Sequence, residues 1–506
     1  MRAVSSLMVT DVSPGPDPAD ELIVRHPGTG AEVGRYKVCS DADVRAAVER
    51  ARTASRWWAE LTFVERATRL DRFRGTVARG IPELAALIRD ETGKPYSDAA
   101  LEVSVVLDHV KWAAKNASKV LGKRRVSTTA ATFNHAASVE YRPLGVIGVI
   151  GPWNYPAFTP LGSIVYALAA GNAVVFKPSE YTPGVGAWLV DAFADAVPEH
   201  PVLQLVTGGG ATGAALCRAG VDKIAFTGST ATARKVMAAC AETLTPMVAE
   251  CGGKDAMIVD VDADLDAAAD GALWAGMANA GQSCIGVERV YVHEQVYDEF
   301  VQRVVHRAQA LRAGADDEAK IGPITMPGQL DVIRRHIDDA LERGGQALVG
   351  GRDAIDGGCV QPTVLVDVPE DSLAVTEETF GPTFTIAKVA DMDEAVERAN
   401  AGRYGLAMTV FSRRNGSEIA ARVRSGMASV NAVFNVPQIP SLPFGGVDDS
   451  GFGRVHGADG LREFTYAHAV ARQRFKPFFA VASFARTKRT DAFLAKLAKK
   501  LHGSTR

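Results

Sequence analysis

Two hydrophobic rhythms alternate along the chain from residue 142 onward. Short, mostly apolar runs at 144–150, 172–176, 202–206 and 223–226 read as strands buried on both faces of a sheet. Between them, apolar residues recur at helical spacing over 158–170, 185–196, 211–219 and 231–242. Repeated alternation of strand and helix predicts a doubly wound α/β parallel sheet, because parallel neighbours need a crossover and a helix supplies it. Upstream, Val44, Ala47, Val48 and Ala51 share one face of a charged segment, and 41–90 is expected to form a helical layer. Downstream, 253–443 repeats the α/β rhythm, with helices expected over 295–313 and 330–343 and strands over 383–389 and 407–411. The last 32 residues carry eight Lys or Arg against one Asp, and Phe493, Leu494, Leu497 and Leu501 fall on one helical face. Residues 475–506 are therefore a candidate basic amphipathic helix.

Composition narrows the class of protein without choosing its chemistry. A chain of 506 residues has room for roughly three folding units. With 47% hydrophobic residues, 23% charged residues and a formal charge of −3, neither nucleic acid nor an acidic polymer is an expected partner. The first residues are polar and rich in Pro and Asp, without the basic start and apolar run of a secretory signal, so a cytoplasmic address is expected. The longest apolar runs are too short to span a bilayer. Six cysteines without a CxxC pair fit reduced thiols rather than a disulfide framework or a zinc site, and no metal is expected.

Candidate chemistry collects where the expected strands end. The run 208–213 matches GxGxxG, but no acid follows about 20 residues on, as a dinucleotide loop would need. Thr227, Gly228 and Ser229 make the better phosphate cradle: a strand runs into a helix whose first turn offers free N–H groups, and Gly228 admits an anion close to the backbone. An ordinary N-cap is the plainer alternative. In GPWNYP at 151–156, Asn154 could give its amide N–H to a developing oxyanion or close a local Asx turn. Lys177 and Glu180 put a cation and a carboxylate at a third strand end, Glu250 precedes paired glycines, and Glu378 stands in an acidic turn beside Phe380. Cys284 lies among small and polar residues, although a lone cysteine is more often packing than nucleophile. HExxH, GxSxG and spaced Cys/His sets are missing, which disfavours metal hydrolysis and an α/β-hydrolase.

In order and spacing, GPWNYP, AAGNAVVFKPSEYTP, KIAFTGST, AECGGKD, NAGQSCIGVERV, EETFGPTF, NAGRYGLAMTVF and LPFGGVDDSGFGR resemble the aldehyde dehydrogenase superfamily, from about residue 21 to about residue 470. The resemblance implies two doubly wound α/β domains plus a small β oligomerisation flap. The cofactor-binding domain would be 21–125 with 145–252, the catalytic domain 253–445, and the flap with its adjoining segment 126–144 with 446–474, ahead of the tail at 475–506. It further implies a homodimer or homotetramer, a small-molecule aldehyde as substrate, and NAD as cofactor with NADP tolerated. Cys284 would attack the aldehyde to give a thiohemiacetal and then a thioester. Asn154, with the Cys284 backbone N–H, would hold the oxyanion, and Glu250 would activate the hydrolytic water. On the cofactor side, Pro152 and Trp153 would border the channel, and Lys177, Ser179 and Glu180 the adenosine ribose. Gly210 would line the adenine pocket, Thr227, Gly228 and Ser229 the diphosphate, and Glu378 and Phe380 the nicotinamide ribose and its wall.

Two departures from the family pattern bear on specificity. Cys251 stands where Leu is usual, and Val455-His456-Gly457 follows the 450–454 stretch where many hydrolytic members have Glu next. With the Phe-rich basic tail, the second departure resembles the branch that handles hydrophobic aliphatic or aromatic aldehydes. The tail is expected to dock on a partner subunit in preference to a membrane. The rival enzyme is a semialdehyde dehydrogenase such as succinate semialdehyde dehydrogenase, which needs a cationic anchor in its substrate funnel. The rival of another class is a noncatalytic binding or structural member of the fold.

Overall fold

A computed structural model describes residues 21–129, 132–476 and 483–503. The expectation for the N-terminal residues 1–20, and part of that for 475–506, lies outside the described residues. The chain divides into two compact units, residues 1–120 with 143–466 and residues 121–142 with 467–506.

The first unit holds two large sheets. One runs in the order Gly451–Phe452, Met247–Glu250, Lys223–Thr227, Val146–Ile150, Ala173–Lys177 and Leu203–Leu205, all parallel except the short antiparallel edge at Gly451–Phe452. Val146–Ile150 and Lys223–Thr227 are neighbours although two strand–helix units separate them in sequence. The winding reverses between them, and such a switch point opens a crevice outside the carboxyl ends of the strands. The other sheet has seven strands, with Asp255–Val259 and Val287–His293 at its centre and Gln346–Val349 as an antiparallel edge.

Local sequence explains the elements that frame the crevice. The helix Phe158–Ala170 is buried on nearly every side, so it carries no polar face. It stops at Gly171, whose φ of 104° lets its N–H turn back to the Leu168 carbonyl at 3.0 Å. The expected helical layer consists of Asp41–Glu60, Phe63–Arg79 and Ile81–Thr92, and the first two open with reciprocal capping boxes at Ser40/Asp43 and Thr62/Glu65. The strand expected over 202–206 shrinks to Leu203–Leu205, an edge strand with a ladder on one side only. The helix expected over 295–313 ends at Ala308, where tighter turns such as Leu311 N–H to Ala308 O take over.

In the second unit, Arg124–Val126 pairs antiparallel with His135–Pro143, and Thr465–Gln473 completes a three-stranded sheet. The helix Lys488–His502, capped by the Thr487 hydroxyl, bears out the helical part of the tail expectation. Among the described residues no helix is long and apolar enough to cross a membrane.

Candidate active site

Cys284 owes its position to a strained turn. The helix Leu265–Met277 ends, and Asn279 (φ 53°), Ala280 (φ 56°) and Gly281 (φ 69°) then follow in the left-handed region. Two of these are not glycine, a conformation that persists only where the surroundings hold it. They are held here: Asn279 Nδ2 donates to the Asn154 carbonyl at 3.0 Å, and Gln282 Nε2 donates to the Asn279 carbonyl at 2.8 Å. Gly281 has no room for a side chain, since a Cβ would lie 2.0 Å from the Gly381 carbonyl oxygen.

Two cavities meet at the cysteine. The larger, about 750 Å³, lies along the carboxyl edge of the first sheet, and every residue singled out from the sequence lines it. These are Cys284, Glu250 and Asn154, with Pro152, Trp153, Lys177, Ser179, Glu180, Gly210, Thr227, Gly228, Ser229, Glu378 and Phe380. The smaller, about 140 Å³, is a mostly apolar tunnel whose wall includes Leu101, Val105, Phe158, Trp274, Phe434 and Phe444. Cys284, Glu250, Thr159 and Thr227 line both. The nucleophile candidate and the base candidate therefore stand where the two cavities join.

Electrostatics at the junction follow from burial. The Glu250 carboxyl is pushed up to about 7 by desolvation, against the pull of Cys284 and Thr227. Its oxygens make no hydrogen bond of good geometry among the described residues. Burial, then the field of Glu250, holds the Cys284 thiol well above its ordinary range, so the resting side chain is a neutral thiol. Cys251 is buried beside them in the crevice wall, its thiol also pushed up, to about 12, by burial first.

Asn154 is fixed from both ends. Its Nδ2 donates to the Gln282 carbonyl at 3.0 Å, while its main-chain oxygen accepts from Lys94 Nζ at 2.7 Å. Lys94 is itself buried, paired with Glu102 at 2.7 Å and lying 4.3 Å from the Tyr155 ring centroid. Glu102 uses its other oxygen to accept the main-chain N–H groups of Ala157 (2.8 Å) and Phe158 (3.0 Å) at the start of the tunnel-wall helix. Neither Lys94 nor Glu102 was singled out from the sequence. No motif spacing relates them to Asn154, and only a lysine inside a turn that must be buried would have hinted at them.

The large crevice has the features a dinucleotide needs. Gly228 sits between the strand end and the helix Thr230–Ala241, whose N-cap Ser229 accepts from Thr232 N–H at 3.3 Å. The Gly228 N–H donates to the Glu250 carbonyl at 3.1 Å, tying this loop to the base-bearing strand. Lys177 is buried, with Glu180 3.7 Å away and half exposed. Gly210 opens the helix Gly210–Arg218 and a Cβ there would meet nothing, leaving open space at the crevice wall. At the other end Phe380 (φ 52°) packs edge-on to Trp153, ring centroids 5.5 Å apart. The Phe380 turn is held by the Glu288 carboxylate, which accepts Thr379 N–H at 2.8 Å and Phe380 N–H at 2.9 Å while paired with buried Lys254. The paired glycines after Glu250 have a steric reason: a Cβ on Gly252 would lie 2.1 Å from Glu378 Oε2, and one on Gly253 2.6 Å from the Cys284 carbonyl oxygen.

Comparison with known proteins fits this geometry. The sequence profile described as the Aldehyde dehydrogenase family matches residues 16–470. The chain belongs to that family, whose members are oxidoreductases acting on aldehydes. A 4,4'-diapolycopene aldehyde oxidase of Methylomonas sp is 38% identical over 444 residues, 87% of this chain and 83% of its own. A Mycolicibacterium smegmatis protein provisionally named succinate-semialdehyde dehydrogenase (NADP(+)) is 36% identical over 453 residues, 88% of this chain and 87% of its own. Among solved structures, PnpE of Pseudomonas sp. WBC-3 in complex with nicotinamide adenine dinucleotide matches with a TM-score of 0.86 at 33% identity, covering 92% of this chain and 96% of that one. An NAD-dependent aldehyde dehydrogenase from Sinorhizobium meliloti gives 0.86 at 31% identity, covering 92% of each chain.

Proposed function

We propose that this chain oxidises an uncharged, apolar aliphatic or aromatic aldehyde to its carboxylate, with NAD as cofactor and NADP tolerated. The observation that carries the reading is the sharing of Cys284 and Glu250 by both cavities. The aldehyde enters by the apolar tunnel, and the cofactor occupies the crevice on the other side of the sulfur.

As the Cys284 sulfur bonds to the aldehyde carbon, its proton passes to Glu250, whose carboxyl, raised to about 7, is poised to accept it at neutral pH. Asn154 Nδ2, held on its turn by Lys94 and Gln282, faces the developing alkoxide together with the Cys284 main-chain N–H. Bound NAD(P) supplies the acceptor for the hydride that leaves when the Cys284 thiohemiacetal becomes a thioester. Glu250 gives up the proton received from Cys284 to solvent and, ionised again, takes a proton from the water that adds to the thioester carbon; the tetrahedral adduct collapses, the carboxylic acid leaves, and the Cys284 thiolate is reprotonated by Glu250. The apolar tunnel wall keeps bulk water from the thioester until this step.

Glu180 stands where a 2′-phosphate would meet like charge, which supports NAD as first choice. The bound dinucleotide of PnpE and the NADP(+) in the name of the M. smegmatis relative support the cofactor class. The Methylomonas relative, named a 4,4'-diapolycopene aldehyde oxidase, supports an aldehyde without a second carboxylate as the substrate class. The enzyme works as a cytoplasmic homodimer or homotetramer, with the three-stranded sheet and basic helix of the second unit as the assembly surface. The test is to follow reduced cofactor by its near-UV absorption with a panel of aliphatic, aromatic and carboxylated aldehydes, for wild type and Cys284→Ala. Turnover by wild type alone is expected; folded wild type that reduces no cofactor with any aldehyde would overturn the assignment.

A further inference from the structure

The tunnel carries an unbalanced negative charge. Its described lining includes one lysine, Lys94, no arginine, and the carboxylates of Asp98 and Glu102 besides Glu250 at its inner end. Lys94 is already committed: its ammonium donates to Glu102 at 2.7 Å and to the Asn154 carbonyl at 2.7 Å, and it faces the Tyr155 ring. Glu102 is neutralised by the same contact and by two main-chain N–H groups. His456, also in the wall, is buried among aromatic rings, and burial holds its imidazole neutral. Asp98 makes no ion pair within 4 Å among the described residues, and its one side-chain partner is the Ser97 hydroxyl at 3.5 Å. It lies in the first turn of the helix Tyr96–Leu121, where free N–H groups favour an ionised carboxylate. Burial raises its pKa, with Lys94, Ser97 and the more distant, exposed Lys320 acting the other way.

We infer that Asp98 is a specificity-determining residue that excludes aldehydes carrying a second, anionic group, so that dicarboxylic semialdehydes are rejected by charge rather than by size. The inference rests on the catalytic reading above. The physics is direct: an incoming carboxylate would lose its water in an apolar cavity of about 140 Å³, find no free cation, and face a fixed carboxylate of the same sign. An uncharged aldehyde of the same length meets neither penalty. A relative that does act on a semialdehyde anion would need its cation elsewhere in the wall.

The decisive comparison is between succinic semialdehyde and its methyl ester, which share the reacting end and nearly the same length. Wild type is expected to favour the ester by about 100-fold in kcat/KM, since unlike the anion it needs no charge partner. The ratio of the two specificities is then measured in Asp98→Asn, which keeps the shape, and in Asp98→Lys, which supplies a cation. The preference for the ester should shrink by about tenfold in the first and further in the second. A wild type that uses both substrates equally would overturn the inference, as would a ratio unmoved by both substitutions in protein that oxidises the ester. Failure to oxidise any aldehyde overturns the catalytic reading itself, a separable outcome.

Discussion

The ammonium of Lys94 and the main-chain carbonyl of Asn154 are joined by a 2.7 Å hydrogen bond across sixty residues of sequence, and the same ammonium is paired with Glu102. A buried pair of this kind is weak evidence of net stability, but it fixes direction: Glu102 also holds the N–H groups of Ala157 and Phe158, so one carboxylate anchors the whole turn that presents the Asn154 amide. Glu102→Gln keeps the shape and weakens the charge contact. It should lower kcat by about 10- to 100-fold, because a small misplacement of an oxyanion donor is costly, while cofactor Kd stays within about threefold. Lys94→Met should lose stability by about 3–5 kcal/mol by leaving Glu102 buried without its cation, and adding Glu102→Gln should recover part of that stability but not kcat. Thermal denaturation alongside steady-state kinetics separates the two effects; unchanged kcat in Glu102→Gln would refute the positioning role.

Glu250 ties activity and stability to pH in opposite senses. As a base it must be ionised, so turnover limited by deacylation should rise with pH and level off above about 7, and Glu250→Gln should form the thioester slowly and hydrolyse it more slowly still. Rapid-quench capture of the acyl-enzyme checks this. Stability runs the other way. The folded pKa, about 7, lies above the ordinary 4.5, so the folded state holds the proton more tightly. The associated stability is fully present below the unfolded value and is lost as pH rises through about 7. The cost of burying the unpaired charge at pH 8 is of order 3 kcal/mol, so Glu250→Gln should melt higher than wild type at pH 8 and close to it at pH 4.

Much of this site was legible because its residues end strands. A parallel doubly wound sheet gathers strand ends along one edge, so reading Asn154, Lys177 and Thr227 as strand-terminal already placed them near one another, whereas the strand Met247–Glu250 that brings Glu250 to the same edge was not expected. Cys284 and Glu378 reached the same crevice through long connections, and the order of the family motifs, rather than any local pattern, connected them to it. Lys94, Glu102 and the Lys254–Glu288 pair were not legible. Lys94 and Lys254 lie in loops, Glu102 in a helix and Glu288 in a buried strand, and the contacts that pair them are tertiary ones that no spacing along the chain encodes. The glycines after Glu250 were visible but their cause was not: they are required by the approach of Glu378 and the Cys284 main chain, neither of which is close in sequence.

Glu180 provides a test of cofactor choice. Its carboxylate is half exposed, with Oε2 accepting from the Ser179 hydroxyl at 3.2 Å and lying 3.7 Å from the Lys177 ammonium, and its other oxygen is placed to accept from a ribose hydroxyl or to repel a phosphate. Glu180→Gln should raise kcat/KM with NADP relative to NAD by about tenfold, a modest factor because the site is partly screened by solvent. An unchanged ratio in initial-rate measurements would show that the charge does not set the preference.

The basic tail offers a test of assembly. Eight Lys or Arg stand against one Asp in residues 475–506, whereas the chain as a whole is at −3, so the remainder carries a net negative charge that would attract the tail of a second copy. Within the helix Lys488–His502 and the stretch before it, Phe484 is fully exposed and Leu501 nearly half exposed, leaving apolar area for such a contact. Deleting residues 475–506 should shift the protein to a smaller species in analytical ultracentrifugation, and raising salt should weaken the full-length assembly by screening the charge component. Neither form should pellet with anionic phospholipid vesicles. If full-length protein pelleted with such vesicles while the truncated form stayed in solution, and both sedimented as the same species without lipid, the helix would belong to the membrane surface instead of to a partner subunit.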